Sequence, residues 1–202
     1  CEVIPFGIDL DYFSLNDSIQ QKSELLKEKF GQPLFLAVGR LTYYKGYSFL
    51  IEAMKSVNGK LVIVGEGDEQ SSLEKQVDRL GLDRRVCFIN HADDLRPYYA
   101  AADVFVFPSI ANSEAFGIVQ LEAMAFETPV INTNLPTGVV EASVHEKTGI
   151  TVPAKDSKKL AEAMNDLISH SEKRMRYAKQ AREKACLHSN ELFIERLKNA
   201  LL

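Results

Sequence analysis

The sequence predicts an α/β domain in which helices cover both faces of a parallel β-sheet. Six short runs are rich in β-branched and aromatic residues, at 34–38, 60–64, 86–89, 103–107, 129–132 and 149–152. A segment with apolar residues at helical spacing separates each run from the next. Because such alternation is typical of βαβ units, we expect the strands to be parallel and covered by helices on both sides.

The helical segments are clearest after the first and the last strand. The segment after the first strand carries its apolar residues on one helical stripe. This stripe consists of Phe49, Leu50, Ala53, Met54 and Val57. Beyond Pro153 the pattern is helical throughout, which predicts helices over 157–169, 172–186 and 190–202.

Composition limits the class of protein. The chain has 202 residues, of which 46% are hydrophobic and 26% are charged, as expected for one globular domain with a full core. The net charge of −4 argues against general nucleic-acid binding, because a phosphate backbone requires a broad basic surface. No apolar run approaches the roughly 18 residues of a membrane span.

The cysteines and a basic run bear on localisation. Cys1, Cys87 and Cys186 are odd in number and lack a C-x-x-C spacing, which favours a reducing compartment. We therefore expect a cytoplasmic protein, with the inner face of the membrane as a further location. The basic run could contact acidic lipid head groups, but a solvated helix face is the favoured interpretation. The run consists of Lys173, Arg174, Arg176, Lys179, Arg182 and Lys184.

Two carboxylates mark a candidate ligand site in the segment 113–124. Glu114 lies in the loop that follows the fourth strand, and Glu122 lies eight positions later inside an apolar helix. The helix start between them offers free backbone N–H groups at the positive end of the helix dipole, which suits a phosphate. Gly117 leaves that approach unobstructed. Eight helical positions span roughly 12 Å, a reach comparable to that from ribose to hexose across a diphosphate.

This segment resembles the E-x7-E signature of retaining glycosyltransferase family 4. Other segments agree with the same resemblance in chain order, and their combination is more specific than any one piece. Val38-Gly39-Arg40-Leu41 with Lys45-Gly46 resembles the family's G-R-x(4)-K-G element, Val64-Gly65-Glu66-Gly67 with Leu73 resembles its G-x-G-x(5)-L segment, and Pro5-Phe6-Gly7-Ile8-Asp9 resembles its interdomain P-N-G-V-D. The match covers about residues 3–165.

The resemblance implies a Rossmann-like domain, the C-terminal half of a GT-B fold, that binds a UDP- or GDP-sugar. It implies that Arg40 and Lys45 contact the donor diphosphate, that Glu122 binds the ribose hydroxyls and that Glu114 binds the hexose. The implied catalytic residues are Arg40, Lys45 and Glu114, and the implied donor-binding residues are Gly39, Arg40, Lys45, Gly65, Phe88, Asn90, Glu114, Phe116, Gly117, Ile118 and Glu122.

The implied reaction is retaining glycosyl transfer without a metal or another cofactor. Fixed cations and helix-end amides would stabilise the charge that develops on the departing nucleoside diphosphate. Glu114 and Glu122 are expected to lie too far apart for the paired carboxylates of a retaining glycosidase, so the resemblance implies front-face attack. Asp9-Leu10-Asp11 has the spelling of a metal-binding D-x-D, but a turn or a cap is the favoured interpretation.

The domain organisation follows from the same resemblance. We expect an interdomain linker over residues 1–22 and a nucleotide-sugar-binding domain over 23–202, with the N-terminal acceptor domain absent. The chain alone is then expected to bind donor without transferring sugar. The acceptor would be a glycan or a lipid-linked glycan in polysaccharide or lipopolysaccharide synthesis. A starch- or sucrose-synthase-like enzyme and a non-catalytic nucleotide-sugar sensor remain alternatives.

Overall fold

Six parallel strands form one sheet in the computed structural model, which describes residues 4–201. The strands are β1 (Leu34–Val38), β2 (Lys60–Val64), β3 (Val86–Ile89), β4 (Val104–Phe107), β5 (Val130–Thr133) and β6 (Gly149–Val152). Their order across the sheet is β3-β2-β1-β4-β5-β6. From β1 the chain adds β2 and β3 on one side and then returns to add β4, β5 and β6 on the other side. The boundary between β1 and β4 is the switch point of the sheet, and sheets of this kind bind ligands there, outside the carboxyl ends of the strands. The predicted fold class is confirmed.

Helices connect the strands and complete the chain. They are α1 (Asp17–Phe30), α2 (Tyr47–Ala53), α3 (Gln70–Leu80), α4 (Arg96–Ala101), α5 (Val119–Met124), α6 (Val139–Ala142), α7 (Ser157–Ser169), α8 (Ser171–Cys186) and α9 (Asn190–Leu201). Short 3₁₀ turns cover Tyr43–Lys45 and Met54–Ser56. Asn16 caps α1 by accepting a hydrogen bond of 3.0 Å from the backbone N–H of Ile19.

The helices divide between the two faces of the sheet, which explains the continuous apolar strands. Alternate residues of β1 enter opposite cores: Phe35 lies in one and Leu36 in the other. Helices α2, α3 and α7 contribute buried side chains to the first core. Helices α4, α5 and α8 contribute to the second, and α1 packs against α4 there. Both faces are therefore covered, as predicted.

Several predicted boundaries move by one or a few residues. Strand β4 begins at Val104, and the Asp103 carboxylate just before it accepts a 2.8 Å hydrogen bond from the N–H of Leu34. Strand β5 covers Val130–Thr133 rather than 129–132. The apolar stripe predicted for the helix after β1 extends beyond α2. The α-helix ends at Ala53, and the next residues, Met54–Ser56, form a 3₁₀ turn. The boundary between residues 22 and 23 falls inside α1, while the division into domains stays a prediction.

The segment that precedes α1 packs on the C-terminal helices. Ile8 pairs with Ser189 in an isolated bridge, and its N–H donates a 2.8 Å hydrogen bond to the carbonyl of His188. Asp9 accepts a 2.9 Å hydrogen bond from the N–H of Tyr12, so it closes a turn, in agreement with the interpretation of Asp9-Leu10-Asp11 as a turn. Within residues 4–201, no helix combines the length and the apolarity needed to cross a membrane.

The structure shows the environment of two cysteines and of the basic run in α8. Cys87 is half-buried and Cys186 is exposed, and both are free thiols; Cys1 lies outside the described residues. The basic run is partly used inside the protein, since Arg182 donates a 2.7 Å hydrogen bond to the carbonyl of Ala125. Lys173 is bound to Asp166 and Arg174 to the carbonyl of Leu167. The run is therefore only in part the solvated helix face that was expected.

Candidate functional site

The loops that follow β1 and β2 approach each other closely at Gly39 and Gly65. The N–H of Gly39 donates to the carbonyl of Val64 over 3.0 Å, and the N–H of Gly65 donates to the carbonyl of Ile89 over 2.8 Å. A Cβ atom on Gly65 would lie 2.2 Å from the carbonyl oxygen of Gly39. Both glycines also have φ values near 145°, at 146° and 144°, where other residues are strained. Gly39 and Gly65 are therefore required for the shape of the loops that carry the site.

Lys45 reaches across the switch point and pairs with Glu114. The 3₁₀ turn Tyr43–Lys45 follows β1, and the Lys45 Nζ lies 2.5 Å from the Glu114 Oε2, in the loop that follows β4. The side chains are 13% and 10% exposed, respectively. The same Nζ lies 5.0 Å from the centre of the Phe107 ring, within cation–π range. Lys45 is thus a largely buried, paired cation.

Ser109 completes the setting of Glu114. Its hydroxyl donates a 3.0 Å hydrogen bond to the Glu114 Oε2, and its own carbonyl accepts a hydrogen bond of 2.5 Å from the hydroxyl of Thr133. The carboxylate therefore has a cation and a hydroxyl on one oxygen, a charge-assisted arrangement. Ser109 was missed in the sequence, although it stands two positions after β4, where a parallel sheet places ligand-binding residues.

Arg40 has a different environment from Lys45. It lies immediately after Gly39 and is exposed, and among the described residues its guanidinium has no hydrogen-bond or ion-pair partner. A guanidinium in this state keeps its five N–H donors available to a ligand. The site therefore contains one cation that is held by the protein and one that is open to solvent.

The loop before α5 presents backbone donors. In the part of the chain that the structure describes, the N–H groups of Phe116, Gly117 and Ile118 donate to no protein acceptor. Gly117 has φ 74°, and a Cβ there would lie 2.4 Å from the ring of Phe107. Its glycine is thus explained by packing against Phe107 underneath the loop, in addition to the clear approach that the sequence suggested. Donors of this kind suit an anion.

Glu122 points its carboxylate at a buried tyrosine. The hydroxyl of Tyr99, in α4, donates a 2.7 Å hydrogen bond to the Glu122 Oε2. Burial raises the pKa of the Glu122 carboxyl, and the hydrogen bond from Tyr99 opposes that rise. The apolar neighbours of Glu122 required a polar partner, and the structure identifies it. No motif or spacing in the sequence pointed to Tyr99, which lies in a different helix.

Phe88 and Asn90 lie apart from these residues. They belong to β3 and the residue after it, at the edge of the sheet, with β2 between them and β1. Phe88 is half-buried and packs against a core cluster. Asn90 is exposed and accepts a 2.8 Å hydrogen bond from the side-chain amide of Gln70. The structure does not bring these two side chains to the Lys45–Glu114 pair.

A cavity of about 470 Å³ opens beside the ion pair. Its walls come from Phe6, Lys45, Ser113, Glu114, Ala115, Phe116, Gly117, Ile118 and Val119. A larger cavity of about 590 Å³ lies at the corner between α7 and α8. Asp166 there is already bound to Lys173 and lies 2.9 Å from His170, so its charge is matched within the protein. The cavity beside Lys45 and Glu114 brings a cation, a carboxylate and open backbone donors together, at the carboxyl ends of the strands, where such sheets bind ligands.

Comparisons with known proteins place these features in a family. The family model described as glycosyl transferases group 1 matches residues 18–184. The D-rhamnosyltransferase WbpZ of Pseudomonas aeruginosa is 37% identical over 174 residues, which make up 83% of this chain and 44% of that protein. The O-antigen chain mannosyltransferase C of Escherichia coli is 33% identical over 90% of this chain and 48% of that protein. The chain thus spans about half the length of the curated relatives it matches.

Solved structures agree in fold. HepE of Anabaena in complex with UDP is similar over 99% of this chain and 57% of that chain, with a TM-score of 0.91 and 26% identity. HepE in complex with UDP-glucose is similar with a TM-score of 0.87 and the same identity, over 98% of this chain and 57% of that chain.

Proposed function

We propose that this chain, which belongs to the glycosyl transferases group 1 family, binds the nucleoside-diphosphate sugar donor of a retaining glycosyltransferase. The observation that carries the proposal is the cluster at the switch point of the sheet. Lys45 and Glu114, 69 positions apart in sequence, meet there beside a cavity. Backbone N–H donors border the same cavity, and Glu122 follows on α5.

The diphosphate is the part of the donor that this cluster suits best. The exposed Arg40 offers a planar fork of donors, and Lys45 offers a point charge. The free N–H groups of residues 116–118 add donors that need no side-chain movement. Departure of a nucleoside diphosphate builds charge on its oxygens, and fixed donors in a partly enclosed cavity stabilise that charge. These cations take the role that a divalent metal has in other transferases, so we propose a reaction that is independent of metal.

Glu122 is assigned to the ribose. Its Oε2 is held by Tyr99, and among the described residues its Oε1 accepts no hydrogen bond. An ionised carboxylate with a free oxygen is a good acceptor for vicinal hydroxyl groups. We assign Glu114 to the hexose because it lines the cavity beside the donors. Glu114 already binds Lys45 and Ser109 through one oxygen, which makes it a poor nucleophile and favours front-face attack over a covalent intermediate.

The donor and the acceptor are proposed from the relatives. HepE forms complexes with UDP and UDP-glucose, which makes a UDP-sugar the first candidate, with a GDP-sugar as the second. Relatives named for O-antigen and rhamnose transfer favour a polysaccharide or a lipid-linked glycan as the acceptor. The 202 residues alone are proposed to bind the donor weakly and to transfer no sugar, because they span about half of such enzymes and closure over the donor needs a second domain.

A thermal-shift panel tests the donor assignment directly. The chain is heated with UDP-, GDP- and ADP-sugars at several concentrations, because a ligand at 100 times its Kd stabilises the native state by about 2.7 kcal/mol. One nucleotide class is expected to raise the melting temperature, and Arg40→Ala and Glu122→Gln are expected to reduce that rise. If no nucleotide sugar changes the melting temperature at millimolar concentration, the donor-binding role is wrong. In the complete enzyme, NMR of the product is expected to show the anomeric configuration of the donor.

A further inference from the structure

The buried Tyr99 side chain makes one polar contact, the hydrogen bond from its hydroxyl to Glu122. It is fully buried, and its hydroxyl donates the 2.7 Å hydrogen bond to the Glu122 Oε2. Its ring lies 5.8 Å from that of Phe105 in an edge-on arrangement and 6.3 Å from that of Phe126 in a stacked one. Such contacts fix the plane of the ring, so the hydroxyl has one direction.

The backbone of Tyr99 is fixed as well. The hydroxyl of Thr128, in the segment between α5 and β5, donates a 2.9 Å hydrogen bond to the Tyr99 carbonyl. The helix that carries Glu122 is thereby tied to the helix that carries Tyr99, since the N–H of Thr128 donates a 3.3 Å hydrogen bond to the carbonyl of Ala123 in α5. The position of the Tyr99 hydroxyl is therefore set by the packed core, and the half-buried Glu122 carboxylate meets it there.

Glu122 depends on this contact for its orientation. It is the acidic residue of a helix whose other residues include the buried Leu121, Ala123 and Met124. A glutamate side chain has three rotatable bonds, and ordering it costs conformational entropy. Because the Tyr99 hydroxyl already binds one oxygen of Glu122, the side chain is ordered in the free protein, and ligand binding does not have to order it. This is preorganisation. The hydrogen bond leaves the second oxygen to accept from a ligand.

We propose that Tyr99 is a positioning residue for the nucleotide site, which holds the Glu122 carboxylate in the orientation that accepts the ribose hydroxyls of a nucleoside diphosphate. The inference rests on the proposed function, since it takes the ribose assignment of Glu122 as its starting point. Tyr99 itself, being fully buried, has no contact with the ligand. Removal of its hydroxyl is therefore expected to affect the nucleotide only through Glu122.

The test is calorimetry on the full 202-residue chain with Tyr99→Phe, which keeps the ring and removes the hydroxyl. The probes are UDP and GDP and their 2′,3′-dideoxy analogues, which lack the hydroxyls that Glu122 would bind. Tyr99→Phe is expected to weaken the preferred ribonucleotide about five- to tenfold and its dideoxy analogue less than about twofold. The matched control is Tyr98→Phe, the adjacent half-buried tyrosine of α4, which is expected to bind both like the unmodified chain.

A double-mutant cycle with Glu122→Ala separates the outcomes. If Tyr99 acts through Glu122, adding Tyr99→Phe to Glu122→Ala is expected to change the ribonucleotide affinity by less than about twofold. Equal losses for ribonucleotide and dideoxynucleotide, or no loss at all in Tyr99→Phe, would overturn the positioning role. If Glu122→Ala weakens the ribonucleotide and Tyr99→Phe does not, the proposed ribose site stands and this inference alone fails. If Glu122→Ala leaves both ligands unchanged, the ribose assignment in the proposed function is wrong, and the positioning role of Tyr99 is overturned with it.

Discussion

Removal of the Lys45 side chain is expected to destabilise the fold, whereas removal of the Arg40 side chain is not. Lys45 and Glu114 are paired at 2.5 Å, and their side chains are 13% and 10% exposed. Lys45→Ala would leave the Glu114 carboxylate with the Ser109 hydroxyl as its remaining partner. A charge that loses its counter-ion in a partly buried site keeps its desolvation cost, which the lost attraction no longer offsets.

The size of the effect follows from this burial. Removing one partner of a fully buried pair costs about 3–5 kcal/mol, and the open cavity beside Lys45 lets water reach both groups. We therefore expect a loss of about 2–3 kcal/mol for Lys45→Ala. For a domain of this size each 1 kcal/mol shifts the melting temperature by about 2–4 °C, which gives a decrease of roughly 4–12 °C. An exposed side chain such as Arg40 is expected to change stability by no more than about 0.5 kcal/mol.

Thermal unfolding without nucleotide measures this difference. The set is Lys45→Ala, Glu114→Ala, the double variant and Arg40→Ala as the matched control, because Arg40 is a cation of the same loop without a partner among the described residues. The double variant is expected to lose less stability than the sum of the two single variants, since either change breaks the same pair. A melting temperature of Lys45→Ala equal to that of Arg40→Ala, or additive losses, would refute the reasoning.

Four other predictions follow from the site. In the complete enzyme, Arg40→Ala is expected to lower turnover by about tenfold to a thousandfold, and EDTA is expected to leave the rate of the unmodified enzyme unchanged; a strict metal requirement would contradict the metal-free proposal. Because burial raises the pKa of Glu122, its charge is lost on acidification at a pH above that of an ordinary carboxyl. Calorimetry should therefore find nucleoside-diphosphate affinity declining more steeply there in the unmodified chain than in Glu122→Gln, in which the ligand phosphate still titrates; equal declines would contradict the ribose assignment. Glu114→Gln removes the anion that competes for Lys45, so it is expected to maintain or raise the affinity for UDP while reducing the additional affinity of UDP-glucose; equal losses for both ligands would contradict the hexose assignment. Gly117→Ala is expected to weaken nucleotide binding and lower the melting temperature, since its Cβ would lie 2.4 Å from the Phe107 ring, and unchanged values for both would contradict that account.

The sheet was predictable because its strands are buried on both sides. A run such as Phe105-Val106-Phe107 is apolar at every position, as a strand between two helical layers requires. The start of α1 was harder to place. Its first turn is polar, and its cap depends on the side-chain geometry of Asn16. A linker can contain the same polar residues without forming a helix, so composition does not show where the helix begins. The predicted boundary at residue 22 consequently fell inside the helix.

The site was predictable in its residue types but not in its pairings. Glu114 and Glu122 were identified from their positions and Arg40 and Lys45 from the family resemblance. Neither says much about contacts between residues 69 positions apart, such as Lys45 and Glu114. The pair exists because two loops leave adjacent strands at the switch point, and that adjacency is a property of strand order. Tyr99 was overlooked for the same reason. It is 23 positions from Glu122 and has the apolar surroundings of an ordinary core tyrosine.

The ion pair has a consequence for the energetics of donor binding. A diphosphate that contacts Lys45 must share this cation with Glu114, so part of the attraction to the ligand replaces an attraction that the protein already has. Arg40 and the backbone donors of residues 116–118 have no such protein partner among the described residues, and they contribute without that loss. Under the proposed function, net affinity for the nucleotide is therefore expected to come mainly from Arg40, the backbone and Glu122. Under the same proposal, Lys45 is expected to contribute most as charge develops on the leaving phosphate, because a stronger anion competes better with Glu114 for the same ammonium group.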